Sequence, residues 1–150
     1  MMADLSDDFA RVEEMVARVE AGADVVCASR YMKGGRQIGG PWLKGKLSRV
    51  AGLTLKWFTG LPTHDPTNSF KAYSTEFLRR TPLESTAGFC LGIELTVKAH
   101  FSGGRVEQVP AIWHDRTEGQ SRFKLRAWLP HYLHWYVWAM KARFLGKAKL

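Results

Sequence analysis

Apolar residues near the start of the chain recur at helical spacing. Phe9, Val12, Met15, Val16 and Val19 lie three or four residues apart, and the run stops near Gly22. Ser6, Asp7 and Asp8 stand just ahead of it, each a residue type that caps a helix. The period then changes. Asp24 to Ser29 contains Val25-Val26-Cys27-Ala28, the short continuous apolar run of a buried strand. A helix followed by such a strand predicts an α/β unit with a parallel sheet. Met1-Met2-Ala3, ahead of the helix, reads as the end of an earlier strand.

Further along, residues 33–41 form a Gly-rich stretch that reads as a mobile loop. Leu43 to Phe58 returns to helical spacing. Leu43, Leu47, Val50, Leu53, Leu55 and Trp57 give it a broad apolar face, and Gly60 and Pro62 stop it. A polar loop, His64 to Ser69, leads to a short strand at Phe70–Tyr73 and a short helix at Thr75–Arg80. Leu91–Phe101 is a helix closed by Gly103-Gly104, and Val106–Trp113 is a strand. A polar loop covers 114–123. Pro130 suits the first turn of a final helix running to about Phe144.

Charge divides the chain. Its 22 basic and 14 acidic residues leave a formal charge of +8, which suits an anionic partner without choosing among nucleic acid, lipid surface and phosphorylated substrate. Asp4, Asp7, Asp8, Glu13, Glu14, Glu20 and Asp24 make the start acidic, whereas no acid follows Glu118. No nucleic-acid-binding motif accompanies the basic residues, so nucleic acid is not an expected partner. Cys27 and Cys90 fit neither a zinc pattern nor a disulfide framework. Cys27 reads as a small buried hydrophobe, in keeping with a reducing compartment.

Four polar segments could carry chemistry. Asp4 follows the first strand end, where α/β sheets bind ligands and where a carboxylate can serve Mg²⁺. The same acids also read as helix caps. Arg30, in Ala28-Ser29-Arg30-Tyr31, ends the next strand and could pair with a phosphate. Asp65, in Asp65-Pro66-Thr67-Asn68-Ser69-Phe70, could act as a base or orient an arginine, and equally fits an ordinary turn. Arg116, Ser121 and Arg122 lie in one loop, Asp115-Arg116-Thr117-Glu118-Gly119-Gln120-Ser121-Arg122, that could clasp a diphosphate or be a charged surface loop.

In this order the segments resemble the motif series of the family 2 glycosyltransferases of the dolichyl-phosphate-mannose-synthase type. That series is Asp-x-Asp, Gly-Ser-Arg-Tyr, Asp-Pro-Thr-Ser-Gly-Phe-Arg and Arg-x-x-Gly-x-Ser-Lys, and the likeness runs from about residue 2 to 124. It implies a GT-A fold, a nucleotide-sugar donor, a lipid-phosphate acceptor, and Mg²⁺ or Mn²⁺. By position, Asp4 matches a metal ligand, Arg30 and Arg116 match phosphate-binding arginines with Ser121 and Arg122 beside them, and Asp65 matches an acidic position near the reacting centre. Glu94 would face the same cleft. Met2 stands where the first metal-binding Asp is usual, Ser69 replaces a Gly, and Arg122 a Lys.

The resemblance also implies a partial GT-A fold lacking its N-terminal strands, since the family begins with elements that hold the donor base and ribose. On that reading residues 1–124 are the C-terminal portion of the catalytic domain. Residues 125–150 are then a basic, aromatic, amphipathic helix at the membrane interface. Trp128, Tyr132, Trp135 and Ala139 share its stripe, widened by Tyr136 and Met140. The same stripe also fits a helix packed inward. The expected location is cytoplasmic and peripheral to the membrane. The alternative is a non-catalytic, basic, membrane-associating module derived from such an enzyme.

Overall fold

The computed structural model describes residues 6–86, 90–115 and 125–146, with side chains from 128 onward in the last stretch. Helix α1 (Val12–Glu20) follows a 3-10 turn at Phe9–Arg11 and ends at Gly22, whose φ of 96° lies in the left-handed region. Strand β1 (Val25–Ser29) is buried throughout. Short strand β2 (Arg36–Ile38) precedes helix α2 (Trp42–Thr59). Strand β3 (Lys71–Tyr73), helix α3 (Thr75–Arg80), helix α4 (Leu91–Phe101), strands β4 (Val106–Pro110) and β5 (Ile112–His114), and helix α5 (Leu125–Leu145) complete the order.

The α/β class holds, and the sheet is mixed rather than parallel. Its order is β3-β1-β4: β4 runs parallel to β1 with Val25 opposite Val106, and β3 runs antiparallel with Val25 opposite Tyr73. The antiparallel strand follows from the loop after α2, which delivers Phe70 back along β1, so that Ala28 N donates to Phe70 O at 3.0 Å. A second, two-stranded parallel sheet joins β2 to β5. The Gly-rich stretch read as a loop thus contains a strand, because Arg36-Gln37-Ile38 finds an edge to pair with once Ala111 separates β5 from β4.

Alternation along β1 explains the layers. Val26 and Ala28 pack with Met15, Phe70 and Val109 on the α1 side, and Val25 and Cys27 pack with Phe77, Leu95 and Val106 on the α4 side. Helix α4 is buried from Gly92 to Ala99 because α2 and α5 cover its far side. There Leu55, Leu61, Cys90, Ile93, Val97, Trp135 and Ala139 form a third cluster. Burial of this kind is worth about 1.5–3 kcal/mol for each large apolar side chain, so α5 is held as part of the core.

Packing decides what the faces of two helices meet. The α5 stripe expected at the lipid headgroups points inward: Trp135 is 3% exposed and Ala139 fully buried, with Trp128, Tyr132, Tyr136 and Met140 packed against them. Only Leu55 of the apolar residues read as the α2 face is fully buried, while Leu43, Leu47, Val50 and Trp57 are exposed, Trp57 by 74%. The face that α2 turns inward is small and polar: Gly45, Ser48, Gly52 and Thr59, with Leu55. A β-carbon on Gly52 would lie 2.1 Å from His64 O, so helix and loop meet backbone to backbone. Helix α5 also starts earlier than expected, at Leu125, leaving Pro130 inside the helix; the ring forgoes one backbone hydrogen bond there. Gly60 caps α2 in the left-handed conformation, as expected.

Candidate functional site

The buried strand β1 ends at Ser29, and the polar residues after it turn out of the core. Ser29 O accepts from Ala111 N at 3.1 Å, and Gly35 N donates to Met32 O at 3.0 Å. Gly35 is required here, because a β-carbon on it would lie 2.2 Å from Ser29 O. This turn leaves Arg30 aimed at the loop that follows α2.

That loop is laced to β1 from within. Asn68 Nδ2 donates to Ala28 O at 2.9 Å, and Asp65 N donates to Thr63 Oγ1 at 3.2 Å. Lys71, buried beneath the loop, donates to Pro66 O at 3.0 Å and to Asn68 O. Burial pushes its ammonium below the usual lysine range, with Cys27 and Asp65 opposing the shift. His64 N is held by Gln108 Oε1 at 3.0 Å. The turn read from Asp65-Pro66-Thr67-Asn68 is therefore a fixed platform.

On it Arg30 and Asp65 form a bidentate pair. Arg30 Nε donates to Asp65 Oδ2 at 2.7 Å, Nη2 to Oδ1 at 2.9 Å, and the Arg30 backbone N–H to Oδ2 at 3.1 Å. The Asp65 side chain is wholly buried and that of Arg30 is 10% exposed. Burial alone would lower the arginine's pKa; the carboxylate outweighs it and raises it. Nη2 also donates to Ser48 Oγ at 3.2 Å. Ser48 Oγ lies 2.5 Å from Thr67 Oγ1, which donates to Asp65 Oδ1 at 3.3 Å. The guanidinium carbon lies 4.9 Å from the Tyr31 ring centroid, and Tyr31 OH donates to Gln37 Oε1 and to Gly45 O.

This geometry separates the two roles open to Asp65. Both its oxygens accept hydrogen bonds from Arg30 or Thr67, so the carboxylate is arranged to hold the arginine. Nη1 is the guanidinium nitrogen that the Asp65 and Ser48 bonds do not use.

Of the residues expected in the site, the structure joins Arg30 and Asp65. Asp4, Arg116, Ser121 and Arg122 lie outside the described residues. Among the described residues no group of three or more His, Cys, Asp or Glu is placed to hold a metal ion. Glu94 does not join the cleft. It is buried on α4 and accepts from Lys98 Nζ at 2.8 Å and from the backbone N–H groups of Glu84 and Ser85. Ser48 and Lys71 were not singled out from the sequence. Lys71 follows the Asp65-to-Phe70 segment directly and sits at its expected basic position, which is a signal; Ser48 is one serine on a helix and carries none. Cys27 and Cys90 are free and buried, and burial pushes both thiols up, that of Cys90 to about 11, which disfavours the thiolate.

No family model matches the chain. The chain is similar to polyprenol monophosphomannose synthase of Mycolicibacterium smegmatis, 33% identical over 124 residues, covering 81% of this chain and 47% of that protein. It is 28% identical over 102 residues to undecaprenyl-phosphate mannosyltransferase of Micrococcus luteus, covering 67% of this chain and 42% of the relative. Dolichol-phosphate mannosyltransferase of Pyrococcus furiosus is 26% identical over 140 residues, covering 91% and 38%. The chain thus spans less than half the length of each of these curated relatives. The resemblance to family 2 polyprenyl-phosphate glycosyltransferases drawn from the four motifs is borne out by all three.

Proposed function

Starting from that kinship with the family 2 polyprenyl-phosphate glycosyltransferases, we propose that this chain is the C-terminal portion of a GT-A catalytic domain. The domain transfers a sugar from a nucleotide-sugar donor to a polyprenyl phosphate. The observation that carries the reading is the Arg30–Asp65 pair. Two motifs separated by 35 residues in the chain meet there as a bidentate, buried ion pair at the end of a central strand, a position where α/β sheets bind ligands. The leaving group is a nucleoside diphosphate, whose growing charge Arg30 and Arg116 would offset, with Ser121 and Arg122 beside them. The acceptor phosphate is already anionic and needs orientation more than deprotonation. Asp65 then serves by holding Arg30. Mg²⁺ or Mn²⁺, with Asp4 as a ligand, belongs to the same reading as the counter-ion of the diphosphate.

The test is transfer of labelled sugar from GDP- or UDP-linked donors to a polyprenyl phosphate in detergent with Mg²⁺ or Mn²⁺. Transfer that disappears with a chelator and returns with the metal is the expected result. A chain that binds lipid but neither binds nor turns over any donor would favour the non-catalytic module.

The acceptor lipid places the work at a membrane surface, on the cytoplasmic side in this reading. Among the described residues no helix is long and apolar enough to cross a membrane. Leu43, Leu47, Val50 and Trp57 of α2 supply an exposed apolar stripe, flanked by Lys46, Arg49 and Lys56. Leu129, Leu133 and Val137 do so on α5, with Lys141 and Arg143 following. Neither helix carries an acid. Each basic residue near an anionic surface contributes about 1 kcal/mol. Vesicle co-sedimentation should therefore rise with the anionic lipid fraction, fall with salt, and weaken in the double variant Leu47→Ser/Trp57→Ser. Equal recovery on neutral and anionic vesicles would sink the electrostatic part, and no binding to either would sink the whole.

A further inference from the structure

Helix α2 has two faces with different partners. Its outer face is the exposed apolar stripe. Its inner face is built for close approach: Gly45 O accepts from Tyr31 OH at 3.2 Å, Gly52 abuts His64 O, and Thr59 O lies 3.0 Å from His100 Nε2. Between them Ser48 is the α2 side chain that touches the Arg30–Asp65 pair. Its Oγ accepts from Arg30 Nη2 at 3.2 Å and sits 2.5 Å from Thr67 Oγ1, which reaches back to Asp65 Oδ1 at 3.3 Å. Arg30, Ser48, Thr67 and Asp65 so close a ring of hydrogen bonds, and the helix supplies one member of it.

We infer that Ser48 is a positioning residue for the Arg30 guanidinium, and that through it the seat of α2 on the 64–68 loop sets how Arg30 meets an anionic substrate. This rests on the reading of Arg30 as a phosphate-binding group. The physical reason is directional. Asp65 holds one edge of the guanidinium plane, through Nε and Nη2, and two bonds to one carboxylate leave the group free to rock about that edge. The Ser48 hydroxyl takes Nη2 from a second element and fixes the tilt, and with it the direction of Nη1. A hydroxyl shared with Thr67 does this without adding charge, so the arginine keeps its capacity for phosphate.

The experiment uses the full 150-residue chain with inorganic pyrophosphate as the probe for a diphosphate. Arg30 side-chain ¹⁵N–¹H signals are followed during the titration, and sugar transfer is measured in parallel. Ser48→Ala keeps a good helix former on α2, and unchanged circular dichroism checks the fold. It should broaden or move the Arg30 signals and weaken pyrophosphate binding about tenfold, the effect of one lost hydrogen bond to a charged group. Ser48→Thr, which keeps the hydroxyl, should stay within about twofold of the parent. Thr67→Val should resemble Ser48→Ala, and the double variant should be no worse than either single one, because both act through one ring. In the transfer assay Ser48→Ala should lower kcat with the acceptor KM unchanged.

The inference is overturned if Ser48→Ala leaves the Arg30 signals and the pyrophosphate affinity as they were, or if Ser48→Thr loses as much as Ser48→Ala. Pyrophosphate that fails to move the Arg30 signals in the parent chain removes the phosphate role, and this inference with it. A parent chain that transfers no sugar, while Ser48→Ala still disturbs Arg30 and pyrophosphate binding, sinks the transferase activity of the chain and leaves the positioning role standing.

Discussion

Glu94→Ala should destabilise the chain by about 3–5 kcal/mol, the usual effect of removing one partner from a buried ion pair. Glu94 and Lys98 are both buried on α4, one turn apart. Lys98 Nζ donates to Glu94 Oε1 at 2.8 Å, to Pro82 O at 2.6 Å and to Glu84 Oε1 at 2.7 Å. Glu94 receives the Glu84 and Ser85 N–H groups at 2.7 and 2.9 Å. Trp135 completes the cluster: its ring centroid lies 5.0 Å from the Lys98 ammonium, and its indole N–H donates to Ser85 Oγ at 2.8 Å. Loss of the carboxylate would strand two backbone donors and leave Lys98 with Glu84, a side chain largely in water. Urea unfolding should show a lower midpoint with an unchanged slope. A loss under about 1 kcal/mol would mean that Glu84 can take over the pairing.

The same group sets a pH dependence. Burial alone would raise the Glu94 pKa, but the Lys98 bond and the two backbone donors outweigh it and hold the carboxyl below the ordinary value of 4.5. Its contribution to stability is therefore complete above the unfolded value and is lost as pH falls through the folded one. Acidification below about pH 4.5 should cost the parent chain more than it costs Glu94→Gln.

Arg30→Ala should cut sugar transfer about ten- to a hundredfold, since charge-assisted contacts to phosphate are worth roughly 1.5–3 kcal/mol. Asp65→Asn should fall by a similar factor, because the amide cannot hold both Nε and Nη2 as acceptors. The decisive measurement is the double variant. If Asp65 works by orienting Arg30, the double variant should be little worse than either single one. If Asp65 is instead a base acting on the acceptor, the two losses multiply, and the Asp65→Asn profile loses its acidic limb while that of Arg30→Ala keeps it. Breaking this buried pair also costs about 3–5 kcal/mol of stability, so activity should be compared below each variant's unfolding transition.

The two predictions concern ion pairs that differ in how far the sequence reveals them. Glu94 and Lys98 are four apart on a helix whose bounds, Leu91–Phe101, follow from the apolar run and the Gly103-Gly104 stop. Their proximity was legible; their burial was not, because it depends on α5 and the 82–85 loop closing over them. Arg30 and Asp65 were both marked by their motifs. Nothing local in either segment says that they face each other, and the pairing appears only when the 63–70 loop is pinned to β1 by Asn68 and Lys71.

Helix faces show the same division. Periodicity established that Leu43, Leu47 and Val50 share one side of α2, and that Trp128, Tyr132 and Trp135 share one side of α5. It did not say what either side faces: the resemblance favoured the membrane for the α5 stripe, which packing turned inward, and the α2 face, read only as apolar, stays largely exposed. A helical period identifies which residues point the same way, while what lies on that side depends on the neighbouring elements. Here Gly52 lets the polar side of α2 approach the loop at His64 O, and Gly45 lets it approach Gln37, more closely than leucines could. The aromatic side of α5 meets Leu55, Ile93 and Val97 on α2 and α4, which an isolated segment does not show.

By itself, then, the sequence determined the local elements whose causes are local: α1 with its Gly22 stop, buried β1, the short α3, α4, and the Gly60 end of α2. It also carried the kinship, because motif order survives without coordinates. Tertiary structure decided the direction of β3, the pairing of β2 with β5, the burial of Glu94 and the ring that joins Ser48 to Arg30. Each of these rests on a contact between segments distant in the chain, and such a contact has no energy until both surfaces are in place.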